Sequence, residues 1–278
     1  MSTINIMSPA KINLLLHITG RRSDGYHNIQ TIFQLLNYGD EMSFSGNDTG
    51  RIDITTNLDT IPKQDNLIFL AAKKLQHVTA GVKGCSIHVQ KKIPLGAGLG
   101  GGSSNAATTL VVLNKLWQCD LSNAALATMA SELGADVPVF VYGQSAFAEG
   151  IGELITPLEL PKMWFLVITP NCHVSTKEIF SHPQLTRNSA PIKIRALDRL
   201  RFRNDCQSVV FEQYPEVDNV FRWLKQFGQP LMTGTGSSVF CSFDRESEAN
   251  DALLQLPNEW NGFVAQGINF SESNQKYV

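Results

Sequence analysis

The chain has 278 residues, an apolar share of 43%, and 23 basic against 25 acidic side chains for a formal charge of −2. That length accommodates two domains with real cores, and so balanced a charge makes the chain a poor candidate for a general nucleic-acid binder, which needs basic surface to displace counterions from phosphates, while leaving room for a local basic pocket. Apolar runs such as residues 14–16 and 137–142 fall far short of a membrane span, and the first nine residues lack the basic and apolar regions of a secretory signal.

Ala10, Ile12, Leu14, Leu16 and Ile18 alternate with Lys11, Asn13, Leu15, His17 and Thr19. This period of two predicts a strand with one apolar face and a second, mixed face carrying Lys11 and Asn13. Ser23-Asp24-Gly25 is a turn signal. Residues 66–78 put Leu67, Leu70, Ala71, Leu75 and Val78 on one helical face. Cys85, Ile87 and Val89 alternate as a strand that runs into a glycine-rich stretch, and residues 103–117 follow as a helix with Ala106, Ala107, Leu110, Val111 and Leu113 inward. Ser122 caps a helix ending at Gly134. Pro157 and Pro161 punctuate a linker within residues 152–161, which divides the chain into 1–156 and 157–278. Beyond it, residues 164–169 read as a buried strand. Residues 215–227 read as an amphipathic helix with Pro215 in its first turn and Gly228 past its end. A small-residue loop at 233–238, a strand at 239–243, a helix at 246–256 and a strand at 262–268 complete a second α/β layer. The five cysteines are widely spaced and form no CxxC, and the six histidines form no HExxH. This fits a reducing cytoplasm rather than a disulfide framework or a zinc site.

Residues 94–105 read PLGAGLGGGSSN. Between a strand and a helix, such a loop lets backbone N–H groups approach phosphate oxygens, and the helix N-terminus adds its positive dipole. Ser103 and Ser104 add hydroxyl donors. The plain alternative is a tight turn with no ligand, but a bare turn needs one or two glycines rather than a run. Gly96, Gly98 and Gly101 satisfy G-x-G-x-x-G, a weak signal shared with dinucleotide folds. Here the loop lies near residue 100, and the region about 20 residues on reads as a loop entering a helix, not as a strand ending in an acidic ribose ligand. No Gly-Lys pair exists for a Walker A loop, and neither HRD nor DFG is present for a protein kinase.

PLGAGLGGGSSNAA resembles the phosphate loop of the GHMP kinases (galactokinase, homoserine kinase, mevalonate kinase and phosphomevalonate kinase). The segments PAKINLLLHITGRRSDGYHNIQTIF from Pro9, LGADVPVF from Leu133 and TGTGSSVF from Thr233 extend the resemblance over essentially the whole chain, in order. The pairing of DGYH with GGGSSNAA is similar to the branch that acts on a cytidine diphosphate-linked methylerythritol. The resemblance implies an α+β fold with a ribosomal-S5-domain-2-like N-terminal domain and a ferredoxin-like C-terminal domain, the active site lying in the cleft between them. It implies a cytoplasmic kinase using ATP and Mg2+ on the 2-hydroxyl of that small molecule, in the non-mevalonate route to isoprenoid precursors. It implies no nucleic-acid, membrane or obligate protein partner.

Residue by residue, the resemblance makes Asp136 the group that takes the substrate hydroxyl proton and puts Lys11 near both that carboxylate and the γ-phosphate. Taken alone, Lys11 reads as a solvated strand lysine and Asp136 as a helix N-cap ahead of Pro138. The resemblance places Asn66 and Lys91 beside the adenine, and Pro94, Gly96, Gly98, Leu99, Gly100, Gly101, Gly102, Ser103, Ser104 and Asn105 around the phosphates, with Ser104 the candidate metal ligand. It places Asn13, Tyr26, His27, Thr176, Phe180, Gly234, Thr235 and Gly236 at the substrate, the cytosine held between Tyr26 and Phe180 with His27 reading its edge. The 233–238 loop is expected to supply N–H donors across the cleft from the first loop. A different GHMP kinase acting on another small alcohol, or a non-catalytic nucleotide or RNA binder, are the competing readings.

Overall fold

The alternation at residues 10–18 belongs to a longer strand, β1 (Ile4–Arg21), which pairs antiparallel with β2 (His27–Asn47) across a turn where Gly25 has a φ of +89°. The structure is a computed structural model that describes residues 3–58, 61–79, 81–194 and 202–277. After β2 come β3 (Ile52–Thr56), α1 (Leu67–Gln76), β4 (Gly84–Gln90), α2 (Gly101–Leu116), α3 (Asn123–Ser131), α4 (Val137–Tyr142), β5 (Ala146–Glu149) and β6 (Leu154–Pro157). The second half contributes β7 (Trp164–Thr169), α5 (Thr176–Ser181), α6 (Gln207–Gln213), α7 (Pro215–Leu224), β8 (Leu231–Met232), β9 (Val239–Phe243), α8 (Glu246–Leu253), β10 (Asn261–Ile268) and α9 (Glu272–Tyr277).

Among the described residues the strands join in one sheet, in the order β3-β4-β2-β10-β7-β9-β8, with β1 and β5 also on β2 and β6 on β5. β3 and β4 run parallel, and the other pairs are antiparallel. The last strand is the seam: β10 pairs with β7 from Asn261↔Thr169 to Gln266↔Trp164 and with β2 at Gly267↔Leu36 and Ile268↔Leu35.

One core lies between the first-half sheet and α1, α2 and α4, with Phe44, Leu75, Ile87 and Leu110 inside. A second packs α6, α7 and α8 on β7 and β9 through Val209, Val217, Val220 and Leu166. A third, built from Ile12, Leu36, Ile93, Leu99, Val167 and Phe240, joins the two halves beneath the glycine-rich loop. Burying each such side chain is worth about 1.5–3 kcal/mol, so the loop rests on a stiff floor.

The mixed face expected for β1 is not solvated: Lys11 is 2% exposed and Asn13 is 3% exposed. The register with β2 shifts between Pro9 and Lys11 and again between Asn13 and Leu15, so bulges re-aim side chains that strict alternation would send elsewhere. Residues 137–142 form a helix with Pro138 in its first turn and Gly143 at φ +60° as its stop. None of the described helices is long and apolar enough to cross a membrane.

Candidate active site

The glycine-rich loop leaves β4 and enters α2 with Gly96, Gly98 and Gly100 at φ values of +64°, +75° and +72°. Gly100 is the N-cap of α2, so the first N–H groups of a 16-residue helix have no intrahelical acceptor and face the loop concavity. Gly101 and Gly102 already belong to the helix and need no positive φ. Leu99 turns its side chain into the core while its carbonyl accepts from Lys11 N at 3.0 Å. Pro94 is half-buried and lines neither of the two cavities that flank the loop. The two serines diverge: Ser103 lines the cleft, whereas Ser104 is fully buried with its Oγ 2.8 Å from Ser8 Oγ. The expected metal ligand therefore faces the protein interior, and its neighbour faces the cavity.

Beneath the loop sits Asp40, a fully buried carboxylate that sequence reasoning passed over. It accepts from Lys91 Nζ, from Asn105 Nδ2 at 2.9 Å, and from the backbone N of Lys92 and Ile93 at 2.7 and 2.9 Å. Lys91 also donates to Asn105 Oδ1 at 2.9 Å. The one readable signal was an acid, Gly39-Asp40-Glu41, inside an otherwise strand-like apolar stretch. Asn66 caps α1, accepting from Ile68 N at 3.0 Å. The plain reading of Asn66 is thus realised, and the residue also lines a cavity of about 630 Å³ together with Lys91, Gly102, Asn105, Thr56 and Leu67.

On the other side of the loop is a cleft of about 510 Å³. Lys11 Nζ stands 3.3 Å from Asp136 Oδ2 and donates to Asn13 Oδ1 at 2.6 Å and Gly98 O at 3.0 Å. Asp136 occupies the N-cap position of α4, yet its side chain makes no cap hydrogen bond; the carboxylate turns to Lys11 instead. Asn13 is fixed in turn by donating to Thr31 Oγ1 at 2.7 Å. Among the described residues lining this cleft Asp136 is the only carboxylate, and no group of three or more His, Cys, Asp or Glu side chains able to hold a metal is found among the described residues.

Gly234, Thr235 and Gly236 line the same cleft, but the 233–238 loop does not stand apart from the first loop as expected. The two are bonded directly: Ser238 N donates to Ala97 O at 3.2 Å and Thr233 Oγ1 donates to Gly98 O at 3.0 Å. Gly98 has no room for a side chain here, which is why small residues alternate in both segments. Thr176 at the start of α5 has its Oγ1 2.9 Å from Thr235 Oγ1.

The aromatic residues are brought together in part. Phe180 lines the cleft, and its ring centroid is 5.2 Å from that of His27 at an interplanar angle of 31°. His27 is buried, and burial holds its imidazole below the ordinary range, with Arg187 and Arg21 acting in the same direction. Tyr26, on the turn before it, is 59% exposed and makes no ring contact with Phe180 among the described residues. His173 and Arg187, which sequence reasoning did not single out, also border the site.

Comparison with known proteins agrees with this architecture. The family model described as GHMP kinases N terminal domain matches residues 66–144, and GHMP kinases C terminal matches residues 184–262. A protein of Hahella chejuensis named 4-diphosphocytidyl-2-C-methyl-D-erythritol kinase is 48% identical over 280 residues, covering 97% of this chain and 95% of its own. One of the same name from Alkalilimnicola ehrlichii is 51% identical over 261 residues, covering 94% and 90%. A crystal structure of 4-(cytidine 5'-diphospho)-2C-methyl-D-erythritol kinase superposes with a TM-score of 0.83 at 30% identity, covering 96% of this chain and all of the other. Homoserine kinase from Cytophaga hutchinsonii shares the fold, with a TM-score of 0.67 at 17% identity over 98% of this chain and 96% of its own. With relatives this similar along nearly its whole length, the chain belongs to the 4-diphosphocytidyl-2-C-methyl-D-erythritol kinase family of the GHMP kinases.

Proposed function

We propose that this enzyme transfers the γ-phosphoryl group of ATP to the 2-hydroxyl of 4-diphosphocytidyl-2-C-methyl-D-erythritol, giving the 2-phosphate and ADP for isoprenoid precursor synthesis in the cytoplasm. The observation that carries the reading is the partition of the glycine-rich loop between two cavities. Gly102 and Asn105 belong to the cavity with Asn66 and Lys91, while Gly96, Gly98, Gly100 and Ser103 belong to the cleft with Lys11 and Asp136. A triphosphate lying along the loop has its base in the first and its γ-phosphate in the second. The domain border near residue 157 is part of the same proposal, the cleft lying where the two halves meet.

Phosphoryl transfer needs little covalent work from the protein, but it needs alignment and positive charge around the transferring oxygens. Asp136 is the base for the acceptor hydroxyl. Lys11, held by Asn13 and the Gly98 carbonyl, has the reach to serve both Asp136 and the γ-phosphate. Magnesium enters with ATP as part of that substrate and neutralises phosphate charge. The lone cleft carboxylate suits an ion carried on phosphates rather than a protein cage, and Ser103, not Ser104, is the hydroxyl that faces it. His27 and Phe180 form the subsite for the cytosine, with Tyr26 exposed on the adjoining turn. A coupled ADP-release assay comparing the cytidyl substrate with mevalonate, homoserine and galactose tests the reading. Turnover should be confined to the cytidyl compound; equal or greater turnover with any of the others overturns it.

A further inference from the structure

The chain that follows α5 folds back and delivers Arg187 to the His27–Phe180 pair. Its guanidinium makes four hydrogen bonds: Nε donates to His27 Nε2 at 3.0 Å, Nη2 to Phe180 O at 3.0 Å and to His182 O at 2.7 Å, and Nη1 to Leu185 O at 3.2 Å. A guanidinium has donors only and keeps its proton at every working pH. The bond to His27 therefore requires a lone pair on Nε2. That excludes both the Nε2–H tautomer and the imidazolium, and it puts the single ring proton on Nδ1.

From this geometry we infer that Arg187 is a positioning residue for base selection: it locks His27 as the neutral Nδ1–H tautomer and anchors the backbone of Phe180 beside it. The inference rests on the reading of His27 and Phe180 as the subsite for the base. A ring locked as a donor suits cytosine, whose N3 is an acceptor, and opposes uracil, whose N3 carries hydrogen. A site built to pair polar edge groups rejects an analogue that leaves them unpaired. The charged groups facing the imidazole are Arg187 from the segment after α5 and Arg21 from β1. Burial first, and then both arginines, oppose a second ring proton, so the neutral Nδ1–H form persists to lower pH than in an ordinary histidine. Released from Arg187, the imidazole is free to move its single proton to Nε2, and the Nδ1 donor is no longer fixed.

The first test needs no substitution. In ¹⁵N NMR spectra of the intact protein near neutral pH, His27 should show an unprotonated Nε2 and a protonated Nδ1, with its titration midpoint displaced below the ordinary histidine value of about 6.5. In Arg187→Met the resonances should move toward a tautomer mixture and a proton should bind nearer the ordinary pKa. The ratio of kcat/KM for cytidyl over uridyl substrate should fall about tenfold, with KM for ATP unchanged. Arg187→Lys, which restores one donor, should recover part of that ratio. A protonated Nε2 in the wild-type spectrum overturns the assignment without any variant. So does Arg187→Met that loses the lock yet keeps the full cytidyl preference. If His27→Ala leaves that preference unchanged, the base is read elsewhere; the underlying subsite reading falls, and the role in selection falls with it. The wild-type spectrum reports independently whether Arg187 holds the tautomer.

Discussion

A Cβ placed on Gly98 would lie 2.3 Å from the carbonyl oxygen of Thr233. The two small-residue loops are thus in backbone contact, and φ at Gly98 is +75° besides. Gly98→Ala is expected to cost about 1–3 kcal/mol through overpacking and to weaken ATP and cytidyl substrate together, because both cavities share this loop. Gly102→Ala is the contrast: its Cβ meets nothing closer than Leu67 Cδ1 at 3.7 Å, so the fold should keep its melting temperature and any loss should appear in ATP affinity alone. Thermal melts and nucleotide titrations of both variants check this; equal melting temperatures with unchanged binding would remove the loop from phosphate recognition.

Asp136→Asn keeps the shape of the Lys11 contact and removes the base. Turnover should drop about 10²–10⁴-fold with ATP affinity nearly intact. Lys11→Met should lose turnover too, and its lost charge should weaken ATP. Single-turnover rates set beside equilibrium nucleotide binding separate these effects; wild-type turnover in Asp136→Asn removes that residue from the mechanism.

Asp40 is fully buried and serves four donors. Asp40→Asn leaves the Lys91 ammonium without its counter-charge in a largely buried place, a change that typically costs 3–5 kcal/mol. Urea unfolding should register that loss, and KM for ATP should rise because Lys91 and Asn105 lose their common anchor. Stability within 1 kcal/mol of wild type counts against this role.

His17 is buried with neither ring nitrogen hydrogen-bonded among the described residues. Burial lowers its pKa; Asp205 opposes that shift and Arg203 adds to it. The unfolded chain therefore binds this proton more readily than the folded one. Stability should fall as pH drops below about 6.5 and level off once the folded pKa is passed. His17→Leu should flatten that part of the stability–pH curve and leave stability at pH 8 equal or higher, since no polar group is then left unpaired. A curve with the same slope in the variant assigns the pH dependence to other groups.

Phe180→Ala should raise KM for the cytidyl substrate while sparing ATP, an offset stack being worth about 0.5–1.5 kcal/mol beyond burial. Tyr26, exposed on its turn, should show the same effect on substrate without any change in melting temperature. If both variants keep wild-type substrate affinity, the cytosine does not stack between them.

Elements with a strong period or a punctuating residue were legible in the sequence. β7 and β9 lie at 164–169 and 239–243 as predicted, Asn66 and Ser122 cap their helices, and α2 begins within two residues of expectation. The helix from Ser122 stops at Ser131, and its approach to Gly134 is irregular turn. β2 was missed because it pairs with β1, β4, β5 and β10 and is buried on both faces over much of its length, which erases alternation. The two small-residue loops were legible in the residues themselves, whereas the roles given to Lys11 and Asp136 came from the resemblance; spacing alone left Lys11 on a solvated face and Asp136 as a cap. Asp40 and Arg187 escaped because their importance lies in partners 51 and 160 residues away, and a single sequence carries no mark of such pairings.

The seam made by β10 has a consequence for how the protein is made. Gln34 Nε2 donates to Ile268 O across 234 positions, and Met7 N to Glu272 Oε2 across 265. On a translating ribosome the long β1–β2 ribbon emerges early and waits, one stretch of its edge unpaired, until nearly all of the chain has followed. An exposed strand edge invites pairing with other chains, and contacts of such long separation slow folding. That stretch of edge therefore stays open to mispairing until the last strand arrives, and shortening the chain ahead of residue 261 should yield aggregates rather than a separable ATP-binding half.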